Sequence, residues 1–150
     1  MVRLDSLTLG ATSQRTASQQ RFFVSIEFLG AEFQSRDLVK PSAAASLQIN
    51  QQFAFPVDSA HPATQEKLIR AMRADATAVQ SAIQFRLYYT ASKDEGEELA
   101  DGSVNLRELW ETQQELQAHR IALLDPDTRE TSYLVISTNV LPALKRILRR

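Results

Sequence analysis

Three long segments alternate apolar and polar residues with a period of two, which puts alternate side chains on one face of a strand. In "RFFVSIEFLG", Phe22, Val24, Ile26 and Phe28 share a face, with Ser25 and Glu27 opposite. In "SLQINQQFAFPV", Leu47, Ile49, Phe53, Phe55 and Val57 share a face against Gln48, Asn50 and Gln52. In "SAIQFRLYYT", Ile83, Phe85, Leu87 and Tyr89 alternate with Gln84, Arg86 and Tyr88. "TSYLVIST" is rich in β-branched and aromatic residues and predicts a fourth strand. Shorter candidates are "RLDSLTL", "SVNL" after Gly102, and "HRIALL" before Asp125. A polar face on each long strand predicts antiparallel sheets with one side in water. Two such sheets packed face to face make a sandwich. Pro56 closes its segment, where a missing N–H harms a ladder least.

The helical period appears in three places. "TQEKLIRAMRAD" spaces Leu68 and Met72 by four and sets Glu66 four before Arg70, the favourable order for a helix ion pair. "LRELWETQQEL" carries Leu106, Leu109, Trp110 and Leu116. The tail "LPALKRILRR", a short helix at about 142–150, has Pro142 in its first turn and Leu144, Ile147 and Leu148 on one stripe. The inner two helices lie in connections between strands and make no βαβ repeat. "KPSAAAS" reads as a loop and "DPDTRE" as a turn. The pattern predicts one all-β domain over 1–150, with short helices.

Composition narrows the function classes. The 150 residues are 43% apolar and 23% charged, ordinary for a globular chain. A formal net charge of −1 gives no global attraction to nucleic acid or anionic membrane. Without cysteine there is no disulfide, thiolate metal site or cysteine nucleophile, which suits a reducing compartment. The start lacks a signal-peptide core, and no apolar run nears the roughly 20 residues of a membrane helix. The expectation is a soluble cytoplasmic domain, whole or cut from a longer chain.

Catalytic signals are sparse. The four glycines follow no phosphate-loop spacing, and no nucleophile elbow is present. His61 and His119 stand far apart and outside any metal motif. The sequence therefore argues against an enzyme and names no catalytic residue, metal ligand or cofactor. Trp110 suits an interface anchor, or a pin holding its helix to the sandwich end. Lys145, Arg146, Arg149 and Arg150 suit contact with an acidic partner or lipid, or serve as complement to the helix dipole.

The order of these elements resembles a C2 domain, an eight-stranded antiparallel β-sandwich. "FVSIEF" precedes "NQQFAFPV", and a helix-bearing crossover leads to a hydrophobic strand, an acidic stretch and the glycine-led "DGSVNL". The resemblance is greater still to the C-terminal C2 domain of the retinitis pigmentosa GTPase regulator-interacting protein family. It rests on "LDSLTLG", "FVSIEFLG", the acidic stretch, and above all "VNLRELW". It implies a protein-interaction domain of a scaffold at the ciliary transition zone or basal body. The implied partner is a β-propeller regulator or another ciliary scaffold, with no nucleic acid.

"YYTASKDEGEELADG" raises the question of calcium, which needs about six to eight oxygens. C2 domains that bind calcium supply aspartates from two loops. Here "SQQRFF" puts Arg21 where one set of acids would stand, and Tyr89 and Thr90 replace acids of the other. Asp94, Glu95, Glu97, Glu98 and Asp101 then read as a solvated acidic loop or a patch for a basic partner. The expectation is a calcium-independent interaction domain, with Trp110, Asp94, Glu95, Lys145, Arg146 and Arg149 as partner-binding candidates. Two alternatives stay open: a lipid-binding domain using Arg36, Lys40 and the tail, or a structural C2 module of another cytoskeletal or centrosomal protein. A small enzyme or ligand-binding sandwich assembled from distant residues ranks third.

Overall fold

In the computed structural model, residues 2–8, 21–29, 31–35, 38–39, 46–54, 62–73, 81–92, 95–125 and 131–148 are described. Their strands are β1 (Val2–Thr8), β2 (Arg21–Phe28), β3 (Ala31–Gln34), β4 (Leu38–Val39), β5 (Ser46–Phe53), β6 (Ala82–Ser92), β7 (Glu95–Asn105), β8 (His119–Leu124) and β9 (Thr131–Thr138). The helices are α1 (Pro62–Ala71), α2 (Leu106–Thr112) and α3 (Leu141–Leu148). The strands pair antiparallel in the order β3-β2-β6-β7-β8-β9-β1-β5, with two-residue β4 beside β2.

β7 and β8 share one register pair, Asp101 with Leu124. The ladder is weakest there, so the sheet folds over, and β4 lies against β5 to nearly close it. Gly102 sits at the crossing. A Cβ there would lie 2.5 Å from the Ala122 carbonyl oxygen, so only glycine lets the strands approach this closely. The two halves thus bury one shared core, from Val2, Leu4 and Leu7 through Phe22, Val24 and Ile26 to Ile83, Phe85 and Leu87, closed by Leu134 and Ile136. Each such side chain contributes about 1.5–3 kcal/mol on burial. The alternation expected of Phe22 to Phe28 and of Ile83 to Leu87 is the alternation found.

A pair of backbone irregularities keeps β1 and β5 in step. Leu4 and Leu7 are three apart, yet both are buried, because the register shifts at Asp5. Opposite, Asn50 adopts φ 48°, a left-handed conformation that asparagine tolerates better than most residues. The extra residues turn Asp5 outward and leave Leu4, Leu7, Ile49 and Phe53 inward.

Several expectations need correction. The acidic stretch is not a loop: β7 begins at Glu95 and runs through Glu97, Glu98 and Asp101, paired with β6 throughout. Cross-strand hydrogen bonding overrides the low strand propensity of its residues. Ser103 to Asn105 of "SVNL" are only its last part, and Leu106 opens α2. The second helix stops at Thr112, because Gln113 takes φ 54° and its side chain amide donates to the Trp110 carbonyl at 2.5 Å. Leu116 is therefore not helical; its N–H donates instead to Thr138 Oγ1 at 2.9 Å. β3 and β4 were not anticipated. Phe55, Val57, "KPSAAAS" before Ser46 and "DPDTRE" after Asp125 lie outside the described residues.

The helices gather at one end of the sandwich, where β6 begins and β7 and β9 end. Ser81 joins two of them: its hydroxyl donates to the Ala71 carbonyl at 2.6 Å, and its carbonyl accepts from Leu106 N at 2.8 Å. α3 touches both α1 and α2 and buries Leu141, Leu144 and Ile147. The expected Glu66–Arg70 ion pair forms on α1 at 2.6 Å.

Candidate functional site

Folding over the sheet creates two outer faces of different chemistry. The outward positions of β3, β2, β6 and β7 hold Glu32, Glu27, Glu98 and Asp101, with Arg86 among them. Arg86 Nη1 lies 2.5 Å from Glu27 Oε2, and its Nε lies 3.9 Å from Glu98 Oε1. The hydrogen bond to Glu27 raises the Arg86 pKa further above its ordinary value, against the cost of partial burial. Ser25 is fully buried on this face and donates to Glu32 Oε1 at 2.8 Å.

An aromatic pair completes the acidic face. The rings of Phe23 and Tyr88 stack at 4.9 Å with an interplanar angle of 11°. Such a pair contributes about 0.5–1.5 kcal/mol beyond its burial. Burial and then the Glu98 carboxylate push the Tyr88 pKa up, since both disfavour a phenolate.

The outer face of β8, β9 and β1 is nearly neutral. Its outward positions hold Arg120, Ala122 and Leu124, then Tyr133 and Val135, then Ser6 and Thr8. The Arg120 guanidinium lies over the Tyr133 ring, 3.8 Å from its centre. Arg3 is neutralised: its Nε donates to Asp5 Oδ1 at 2.6 Å, while Ser137 Oγ donates to Asp5 Oδ2 at 2.8 Å. A groove of about 320 Å³ separates β8 from α2, with Glu108, His119 and Arg120 among its walls. His119 is exposed as the first residue of β8.

Among the described residues, those nominated from sequence lie at separate places on the fold. Trp110 is partly buried on α2 and packs against the core beside Leu106 and Leu109. Lys145 and Arg146 are exposed on α3. Glu95 opens β7, whereas Trp110 follows its far end; the eleven residues of that strand span about 35 Å. One compact contact therefore cannot include both. Asp94, Arg149, Arg36 and Lys40 lie outside the described residues. Among the described residues, no three histidine, cysteine or acidic side chains converge as metal ligands.

Sequence reading missed Phe23, Tyr88, Arg120 and Tyr133. A signal existed for one: in "TSYLVIST", Tyr133 and Val135 are apolar on the face opposite Leu134 and Ile136. Such outward apolar residues carry meaning only where they join a larger exposed patch.

The family model described as retinitis pigmentosa G-protein regulator interacting C-terminal matches residues 1–150, the whole chain. The chain belongs to this family. The regulator-interacting family is named for binding a protein, so membership implies a protein partner. The "VNLRELW" segment is the β7–α2 junction, where Asn105 caps the helix by accepting from Arg107 N at 2.9 Å. No curated protein matches the chain.

Proposed function

We propose that this chain is a calcium-independent protein-interaction domain that binds the retinitis pigmentosa G-protein regulator. It would act as part of a scaffold at the ciliary transition zone or basal body, by binding rather than by catalysis. Membership of the regulator-interacting family over the full 150 residues is the observation that carries this reading.

The architecture supports it. Broad outer sheet faces suit protein recognition better than small-molecule turnover. Glu98 and Asp101 sit on the side of a strand, beside Arg86, and so do not crown the sandwich end as calcium ligands would. A membrane-binding helix needs a free apolar stripe. In α3 that stripe, Leu141, Leu144 and Ile147, is spent on the core.

The test is calorimetry of the whole chain against the regulator's propeller domain, with calcium and with a chelator. Equal affinity in both buffers is expected. No binding in either would remove the partner, and binding only with calcium would remove calcium independence. A tagged chain that stayed diffuse in ciliated cells would remove the proposed location.

A further inference from the structure

The reading of the chain as a protein-interaction domain leaves open which face binds, and the charge distribution points to one. Four carboxylates face outward from one half of the sheet. The other half offers Arg120, which makes no ion pair among the described residues and whose guanidinium rests on Tyr133. Further along the same face of β8, beyond Ala122, Leu124 is 49% exposed, the most exposed large apolar side chain among the described residues.

We propose that the outer face of β8 and β9 docks a segment of the partner protein that carries a carboxylate among aliphatic side chains. The carboxylate would take the Arg120 fork, and the aliphatic groups would cover Leu124, Ala122 and Val135. Stacking on Tyr133 holds the guanidinium in place before binding, so less side-chain freedom is lost on association. A planar guanidinium matches a carboxylate with two parallel hydrogen bonds. Arginine and tyrosine beside an exposed leucine also match the composition of interface hot spots. Glu108 lies across the adjoining groove and repels an anion there. The ligand carboxylate is therefore set toward β9 and away from α2. The acidic face around Glu27 and Glu98 repels the same segment, which fixes the side of approach.

The test uses the isotope-labelled 150-residue chain, titrated with a synthetic peptide of alternating glutamate and leucine and followed by amide resonances. Shifts at Arg120, Ala122, Leu124 and Tyr133 are expected. Arg120→Glu and Leu124→Asp should each weaken binding by about tenfold or more, as truncating a hot spot does. Glu98→Lys on the opposite face should not weaken it. Shifts confined to other surfaces, or wild-type affinity in Arg120→Glu, would overturn the proposal. Both Arg120 and Leu124 are exposed, so their variants should keep the wild-type melting curve. The same variants are assayed against the regulator's propeller domain. If the peptide maps to this face but the wild-type chain ignores the regulator, the named partner falls and the face stands. If the regulator binds and Arg120→Glu changes neither assay, the face falls and the partner stands.

Discussion

Gly102 and Tyr88 show how much one position can decide. At Gly102 the obstacle to a side chain is a backbone oxygen, Ala122 O, which cannot rotate aside. Gly102→Ala therefore has to push β8 away from β7 at their one register pair. The expected cost is about 1–3 kcal/mol, seen as a lower urea midpoint with an unchanged slope. Tyr88 acts through its proton. Its folded pKa is raised above the ordinary 10.0, by burial first and by Glu98 second. A raised pKa means the stabilising contribution is whole below pH 10 and is lost as pH climbs through the folded value. Absorbance titration at alkaline pH should show a late-ionising phenol step that Tyr88→Phe removes. The variant should also flatten the alkaline fall in stability while keeping the stack on Phe23. Neither role was legible in sequence: Gly102 looked like a strand opener, and Tyr88 looked like an ordinary polar-face position.

Among the elements, those that bury one clean face were the legible ones. β2 and β6 alternate and β9 is rich in β-branched residues, while on α1 and α3 the apolar spacing finds Leu68, Leu144 and Ile147, with Met72 and Leu148 only partly buried. β7 escaped notice in its first half because its inward positions include Ala100 and Gly102, which carry almost no hydrophobic signal. β1 reads in sequence only as the short candidate "RLDSLTL", because the shift at Asp5 breaks the period. The link from α2 to α3 could not be read at all, since it depends on a carboxylate reaching across the fold. Glu115 Oε1 accepts from Val140 N at 2.7 Å and from Leu141 N at 2.6 Å, and Oε2 accepts from Thr138 Oγ1 at 2.5 Å. It thereby caps α3 from a distant segment, satisfying N–H groups the helix itself leaves unpaired. Glu115→Ala should cost about 1–3 kcal/mol, because those donors lose their acceptor in a half-buried place. Hydrogen exchange at Val140 and Leu141 should speed up well before the β-sheet amides change. Equal acceleration everywhere would mean that Glu115 serves global stability and not the helix start.

For the whole molecule, the separation of charge between the two outer faces bears on both calcium and the partner. Clustering of acids in the sequence raises the question of calcium, although Arg21, Tyr89 and Thr90 stand where ligands would be needed. Folding spreads Glu98 and Asp101 along a strand, beside Arg86. A divalent ion approaching there meets a fixed cation and too few oxygens in one place. The expected outcome is a melting temperature that does not move between a chelator and millimolar calcium. The contrast is sharp. A site with micromolar affinity, at roughly 1,000 times its Kd, would add about 4 kcal/mol, and each kcal/mol raises the melting temperature of a domain this size by about 2–4 °C. A rise of about 8 °C or more would thus reveal a site formed with the residues around Asp94, whereas a flat response leaves the acidic face as a like-charge barrier. That barrier matters to recognition, because it repels the acidic partner segment from one half of the sheet and leaves Arg120 on the other as its point of entry. Raising salt should then slow association with such a partner more than it speeds dissociation, and Glu98→Lys should quicken association without lengthening the lifetime of the complex.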